Sequence, residues 1–118
     1  MEGNISTGIG QVYIDKEVLT QYAGSAAMEC FGVVGMAAVS MKDGLARLLK
    51  KESMSHGVHI QVSENRIRVD LHIIVGYGIS IKAVCTNLCE NVRYRLEEMS
   101  GLAVDRVNVY VEGVRVID

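Results

Sequence analysis

The sequence predicts a two-layer α+β domain, in which helices pack on one face of a small, mostly antiparallel sheet of four or five strands. The main observation is a strand, a glycine corner and a long helix over Arg66–Gly101. Apolar and polar residues alternate in the strand, as one buried face requires. In the helix, apolar residues recur with the helical period, so the helix has one apolar face too. The apolar positions are Ile67, Val69, Leu71, Ile73 and Val75 in the strand, and Ile81, Cys85, Leu88, Val92, Leu96 and Met99 in the helix.

The N-terminal part of the chain predicts one strand and one helix. Residues 1–8 are polar and contain glycine, and we expect a flexible terminus there, followed by a single domain over residues 9–116. Ile9–Ile14 has the pattern of a short strand. Asp15 is a candidate N-cap for a helix that runs over about Lys16–Cys30, because its carboxylate can accept from the first free amides.

The middle of this first helix consists of small residues, from Ala23 to Ala27. Gly24 costs a helix about 1 kcal/mol relative to alanine. A helix tolerates that cost where a close neighbour needs the room. We therefore expect close packing around Gly24 and Ala27, either within the fold or between subunits.

The middle of the chain predicts a hairpin. Val33–Val39 fits either a strand or an irregular crossing, and Lys42–Lys51 has the pattern of a short amphipathic helix. Val58–Ser63 is a strand that is joined to the central strand through Glu64 and Asn65. A tight turn there sets the residues that face one another: Val62 and Ile67, Ile60 and Val69, Val58 and Leu71 on one side, and His59 and Asp70, Gln61 and Arg68 on the other.

The long helix and the final strand have clear boundaries in the sequence. Ser80 is the candidate N-cap of the helix, and Gly101 is a good C-terminal stop. Leu102–Val111 alternates as a last strand, and Gly113–Asp118 reads as a short tail. The exposed face of the predicted sheet would carry Arg66, Arg68, Asp70, His72, His59, Gln61 and Tyr110.

Composition argues against several classes of function. The net charge is −2, so no basic field favours nucleic acid or an anionic membrane. The chain has one Phe and no Trp, which disfavours a base-stacking surface. The three cysteines cannot all pair with one another, and the N-terminus lacks the features of a signal peptide. We therefore expect a cytoplasmic protein that itself inserts into no membrane.

Three polar residues, His59, Asp70 and His72, form the constellation that the predicted hairpin brings together. They suit a metal site or an acid–base pair. The alternative is an ordinary cross-strand ion pair on a wet sheet face, worth well under about 1 kcal/mol. The ion pair is favoured, because a metal site needs a third ligand and His72 reaches the other two only diagonally.

Other motifs give weaker indications of chemistry. Cys85 and Cys89 lie four residues apart on the long helix. They could form a redox or metal-binding pair, but we favour the interpretation that they are small core residues. Gly32 to Gly35 matches the Gly-x-x-Gly string of KH-type RNA-binding loops, but such loops join two helices and have basic neighbours. The Gly-Tyr-Gly around Tyr77 is not a phosphate-binding loop. No catalytic residues, cofactor or metal site are predicted.

The chain resembles the bacterial alkaline shock protein family of envelope stress response proteins, over about Gly8 to Val116. The motifs that carry the resemblance, in chain order, are Gly10-Gln11-Val12-Tyr13-Ile14, Ala23-Gly24-Ser25-Ala26-Ala27, Gly32-Val33-Val34-Gly35-Met36, Val69-Asp70-Leu71-His72-Ile73-Ile74-Val75-Gly76-Tyr77-Gly78, Met99-Ser100-Gly101-Leu102 and Val107-Asn108-Val109. The chain departs from the family pattern in Cys85 and Cys89 and in lacking the charged terminal extensions of longer members.

The resemblance implies a cytoplasmic protein without enzymatic activity, linked to cell-envelope and alkaline stress. Some members are held at the membrane by an integral-membrane partner. The resulting hypothesis is an interaction or self-assembly module, with self-association or a membrane-anchored protein as partner. The alternative is a small RNA-binding domain that uses Gly32, Gly35 and the hairpin arginines. The candidate interaction residues are Gly24, Ala27, Arg68, Asp70, His72 and Tyr77.

Overall fold

The computed structural model describes residues 3–39, 46–48 and 57–116. Within them the chain forms two helices and seven strands. In chain order these are β1 Gly3–Thr7, β2 Gly10–Ile14, α1 Lys16–Met28, β3 Val33–Val39, β4 Ala46–Leu48, β5 Val58–Ser63, β6 Arg66–Gly76, α2 Ile81–Ser100 and β7 Ala103–Arg115.

The main sheet is built around β6. One edge of β6 pairs in parallel with β7. The other edge pairs antiparallel with β5 and, further along the strand, with β3. β4 pairs antiparallel with β3, while β1 and β2 form a separate two-stranded sheet. The predicted α+β class is confirmed. β6 and β7 pair in parallel, whereas the other strand pairs of the main sheet described above are antiparallel.

The hairpin between β5 and β6 has the predicted register. Glu64 and Asn65 both have positive φ, 51° and 63°, as a two-residue turn of the twist-matched type requires. The expected partners on both faces are found opposite one another: Val58 and Leu71, His59 and Asp70, Ile60 and Val69, Gln61 and Arg68, Val62 and Ile67.

The core lies between the apolar face of the main sheet and the two helices. The β5 side chains alternate between buried and exposed, and those of β6 do so over its first half, so one face of the hairpin is covered. The helix α1 packs against α2, β5 and β3, and α2 packs against β7. The side chains of Leu19, Ile60, Ile67, Val69, Leu71, Ile73, Leu88, Val92 and Leu96 are fully buried.

The caps of α2 are confirmed, but its buried face is rotated from the predicted one. The amide of Ala83 donates to Ser80 Oγ at 3.3 Å, and Gly101 takes the left-handed conformation with φ of 76°. Ile81 and Met99 were predicted to point inward and are exposed. Cys85 is half-buried. Val84 and Ser100 are buried instead, because Val84 packs against Gly32 and Ser100 Oγ donates to Leu96 O at 2.7 Å.

The prediction of a helix over Lys42–Lys51 is wrong where the structure describes it. Ala46–Leu48 forms β4, whose partners are Ala37, Ala38 and Val39 in β3. The free edge of β3 offers backbone hydrogen bonds that outweigh the local helical pattern. The rest of the predicted helix lies outside the described residues.

The other differences concern element boundaries. Gly3–Thr7 was expected to be flexible but pairs with β2 as a hairpin. Val33–Val39, left open between two interpretations, is a strand. The last strand continues to Arg115 through the predicted tail, because it pairs with β6 as far as Gly76. The first helix ends at Met28.

Candidate functional site

The polar face of the sheet holds the predicted constellation, in which Asp70 is bonded to β7. His59 faces Asp70 across the hairpin, as the register predicted. The hydrogen bond to the Asp70 carboxylate comes instead from Asn108, whose Nδ2 donates to Oδ1 at 2.8 Å. An amide and a carboxylate in this contact form a structural link between β6 and β7.

His72 lies in a small aromatic cluster on the same face. Its ring stacks on that of Tyr110, with centroids 4.8 Å apart, and meets the ring of His59 edge-on at 5.6 Å. His72 Nδ1 lies 3.0 Å from Glu112 Oε1. The carboxylate in contact with His72 is therefore that of Glu112, and the contact is an ion pair when the imidazole is protonated. Among the described residues no group of three or more His, Cys, Asp or Glu is placed to hold a metal ion.

Sequence reasoning missed Glu112 because it depends on the parallel strand. Glu112 lies 40 residues from His72 in the chain. It is the residue of β7 that has no partner in β6, at the register shift between Ile73 and Ile74. The alternation in Leu102–Val111 placed Glu112 on the polar side, but only the pairing of β6 with β7 brings it to His72.

Arg68 stands beside another cation. It pairs in the sheet with Arg106 of β7, and both are exposed. Like charges opposite one another destabilise a strand pair. In the part of the chain that the structure describes, neither arginine makes an ion pair, whereas Arg66 Nη1 lies 3.4 Å from Asp105 Oδ1.

Gly24 and Ala27 lie in the interior of the domain. Both are buried, on the side of α1 that faces the sheet and α2. The close packing that the small residues predicted is thus found within one chain. This helix face offers no surface to a partner in the described fold.

The three cysteines lie in different surroundings, with Cys30 buried and Cys85 and Cys89 half-buried. Burial raises the pKa of the Cys85 thiol. Burial also raises the pKa of the Cys89 thiol, and the neighbouring Cys85 and Glu90 raise it further. Cys89 Sγ donates to Val107 O at 3.7 Å, and the buried Cys30 accepts from Asn91 Nδ2 at 3.2 Å. Because the thiolate is the reactive form, the raised pKa values of Cys85 and Cys89 favour packing groups over a redox pair.

The Gly-x-x-Gly string does not form a KH-type loop. Gly32 lies in the turn after α1, with φ of 92°, and Gly35 lies inside β3. The amide of Gly76 donates to Gly32 O at 3.0 Å, which ties the turn to the end of β6. A KH loop joins two helices, so this part of the RNA-binding alternative is wrong.

An exposed apolar surface lies where this turn meets the start of α2. We call it the α2 patch and define it as Phe31, Tyr77, Ile79 and Ala83. Phe31 is 79% exposed and Tyr77, next to Gly78, is 74% exposed. Phe31, Ile79 and Ala83 line a cavity of about 450 Å³, together with Gly78, Ser80, Val84 and Asn87.

Sequence reasoning named Tyr77 but not the rest of the α2 patch. The available signal was the one phenylalanine of the chain, directly before a glycine. Phe31 directly precedes Gly32, the residue that packs closely against Val84 at the start of α2.

Neither helix in the described part of the chain combines the length and the apolar character needed to cross a bilayer.

The fold and these surfaces define a small α+β domain with an exposed apolar patch and a polar sheet face. A model of the alkaline shock protein 23 family, described by a cell envelope-related function, matches residues 4–116. The chain belongs to this family, which confirms the resemblance seen in the sequence.

Individual relatives support the assignment. The chain is 44% identical over 117 residues to the uncharacterized protein YloU of Bacillus subtilis, covering 98% of each chain. It is 38% identical over 118 residues to the uncharacterized protein Spy1614 of Streptococcus pyogenes, covering 99% of this chain and 98% of that one. A stress response regulator gls24 homolog of Streptococcus pyogenes is 26% identical over 106 residues, which are 90% of this chain and 59% of that one. None of these descriptions names an enzyme.

Proposed function

We propose that this chain is a non-enzymatic, cytoplasmic interaction module of the cell-envelope stress response. In this role it docks on a cytoplasmic segment of a membrane-anchored protein. The family description is envelope-related, and one relative is described as a stress response regulator. Both support a role in the cell-envelope stress response.

The observation that carries the proposal is the α2 patch. Monomeric domains rarely leave an aromatic side chain as exposed as Phe31 beside an apolar cavity, and such surfaces commonly mark interaction sites. The cavity is of a size that takes one or two apolar side chains. Val84, which lines the cavity, is closely packed against Gly32.

The rim of the cavity indicates the chemistry of the partner segment. An adjoining cavity of about 470 Å³ is lined by Ser80, Ala83 and Asn87 together with Lys82, Thr86 and Glu90. A partner with an apolar anchor flanked by polar or charged residues fits this surface. Aromatic anchors at the centre of an interface contribute about 2 kcal/mol or more, so losing Phe31 should weaken binding on the order of 30-fold.

The test is affinity capture from cells whose membranes are solubilised in mild detergent. The tagged chain, its Phe31→Ser variant and its Tyr94→Ser variant are compared by mass spectrometry. Tyr94 is a suitable control because it is 66% exposed on α2, away from the α2 patch. We expect one membrane protein in near-equal amount with the unaltered chain and with Tyr94→Ser, and its loss with Phe31→Ser. Equal recovery with all three would contradict the proposed docking surface.

The polar sheet face remains a second proposed contact surface, with Arg68 as its main group. Asp70 and His72 are half-buried and bonded to β7, which leaves them little capacity for a partner. Arg68 is exposed and makes no ion pair among the described residues. A partner that places an acidic side chain there would also relieve the repulsion between Arg68 and Arg106.

A further inference from the structure

Three side chains with hydrogen-bond donors form a row across the polar face of the main sheet. Gln61 of β5 is the register partner of Arg68 in β6, and Arg68 is the register partner of Arg106 in β7. Register partners on neighbouring strands point to the same face, and their backbones lie about 5 Å apart. All three residues are exposed. We call Gln61, Arg68 and Arg106 the donor row.

The donor row lacks an acceptor in the part of the chain that the structure describes. None of its three side chains makes a hydrogen bond or an ion pair there. The guanidinium groups of Arg68 and Arg106 are like charges beside one another, and such a pair destabilises a sheet. A guanidinium carries five N–H donors and no acceptor, so only an acceptor from outside the row can satisfy it.

The carboxylates beside the donor row contact other residues. On one side of the row, Arg66 Nη1 lies 3.4 Å from Asp105 Oδ1. On the other side, Asn108 Nδ2 donates to Asp70 Oδ1 at 2.8 Å. Neither carboxylate forms an ion pair with the two arginines of the row. An unfavourable arrangement without an evident compensating contact is expected at functional sites.

We propose that the donor row binds a single phosphate group, either as the free ion or as the monoester of a small molecule. A phosphate monoester carries nearly two negative charges at neutral pH and three acceptor oxygens. It therefore accepts hydrogen bonds from both guanidinium groups at once and neutralises both charges, whereas one carboxylate neutralises only one. Gln61 Nε2 adds a neutral donor beside Arg68. This inference goes beyond the proposed docking role and does not depend on the α2 patch.

The surroundings of the donor row favour one phosphate group over an extended anionic surface. Asp105 and Asp70 lie next to the row, and Glu112 lies further along the same face, where its Oε1 contacts His72. A bilayer of anionic lipids or a nucleic-acid backbone would bring repeated negative charges against these carboxylates. The net charge of −2 also offers no wider attraction for such a surface. A single phosphate group contacts the arginines without meeting the carboxylates.

The first test is a titration of the isotope-labelled chain with sodium phosphate, followed by NMR. Sodium chloride keeps the ionic strength constant, at about pH 7.5, where most phosphate is dianionic. We expect the amide signals of the donor row to shift with a Kd on the order of 1–10 mM. Arg68→Gln and Arg106→Gln should each weaken binding about tenfold or more. Arg115→Gln, which removes the same charge elsewhere on β7, should leave binding unchanged.

Thermal denaturation of the same variants gives a second readout. Without phosphate, Arg106→Gln should be at least as stable as the unaltered chain, because the substitution removes the repulsion with Arg68. Added phosphate should raise Tm more for the unaltered chain and for Arg115→Gln than for Arg106→Gln. Phosphate also stabilises folded proteins through its exclusion from their surface. That general effect acts on all the variants, so the difference between them reports binding at the donor row.

Two further probes identify the source of the phosphate group. Methyl phosphate represents a small-molecule monoester, and vesicles of phosphatidylcholine with phosphatidic acid represent a lipid headgroup. We expect methyl phosphate to shift the same signals as the free ion and the vesicles to retain no protein. Retention on the vesicles that requires Arg68 and Arg106 would contradict the proposal and indicate a membrane contact instead.

The proposal is overturned if phosphate shifts none of these signals, or if Arg68→Gln and Arg106→Gln bind it as well as Arg115→Gln does. Sodium acetate that shifts the same signals equally at the same ionic strength would also overturn it. Any of these results leaves the proposed function intact when a membrane protein is still captured through Phe31. Conversely, phosphate binding without a Phe31-dependent partner supports the donor row and contradicts the docking role.

Discussion

Gly32 lies where the fold leaves almost no room for a side chain. Its φ is +92°, and a Cβ built there would lie 2.4 Å from Val84 Cγ2 and 3.3 Å from Ile79 Cγ2. Both the backbone and the packing therefore require glycine. Replacing Gly32 by alanine would force a methyl group against the first turn of α2.

The magnitude follows from two separate costs. A non-glycine residue at positive φ costs about 1–2 kcal/mol, and overpacking a closely packed contact costs about 1–3 kcal/mol. The sum of about 2–5 kcal/mol is a large share of the ~5–15 kcal/mol that stabilises an ordinary domain. At roughly 4 °C per kcal/mol for a chain of this size, Gly32→Ala should lower Tm by about 8–20 °C.

Gly78→Ala is the matched control. Gly78 also has positive φ, +83°, but a Cβ there meets nothing within 4 Å. The Gly78→Ala substitution should therefore cost only the free energy of placing a non-glycine residue at positive φ, about 1–2 kcal/mol. Thermal and urea denaturation followed by circular dichroism compares the two variants. Equal losses would refute the reasoning, since the contact with Val84 would then contribute nothing. In a Val84→Ala background, the extra cost of Gly32→Ala should shrink.

Three further substitutions probe the helix and its thiols. Ser80→Ala removes the side chain that accepts from the Ala83 amide and should cost about 1 kcal/mol in urea denaturation. Leu88→Ala empties a fully buried site and should cost about 2–5 kcal/mol in the same assay. Because the pKa of Cys89 is raised in the folded chain, its alkylation rate should rise at higher pH than that of a free peptide cysteine. The raised pKa of Cys89 also makes a pH-dependent contribution to the free energy of unfolding. This contribution is present below the ordinary thiol pKa of 9.0 and is lost as pH rises through the higher pKa of the folded chain. The Cys89→Ala variant lacks the contribution, so its Tm should fall less steeply in that pH range.

Local patterns explain why so much of the fold could be predicted. The register of β5 and β6 depends on Glu64 and Asn65, which are adjacent in the chain and tolerate positive φ. The boundaries of α2 depend on Ser80 and Gly101, each acting on its own helix end. Such features need no knowledge of distant residues.

Apart from the hairpin of β1 with the adjacent β2, the main misses depend on contacts between distant segments. β4 exists because β3 offers an edge, and β7 continues to Arg115 because β6 continues to Gly76. The rotation of α2 reflects the contact between Gly32 and Val84. The periodicity of apolar residues predicts the apolar face of a helix to within about one residue. Which of the neighbouring positions are buried then depends on the element that packs against the helix.

In the candidate site, too, the local contacts were predicted and the long-range contacts were missed. His59 and Asp70 were placed correctly by a local turn, whereas Glu112 and Asn108 reached the site through the parallel strand. The small residues around Gly24 predicted close packing, but the sequence left open whether another chain or this one supplies the neighbours. The exposure of Phe31 is recorded by no periodic pattern in the sequence.

The most direct test of the account is photo-crosslinking in living cells. A photoreactive phenylalanine analogue replaces Phe31 in one experiment and Tyr94 in another, and the adducts are identified by mass spectrometry. The account predicts that position 31 crosslinks to one membrane-anchored envelope protein and that position 94 does not. Crosslinks to that protein from position 94 alone, or from neither position, would contradict docking through the α2 patch.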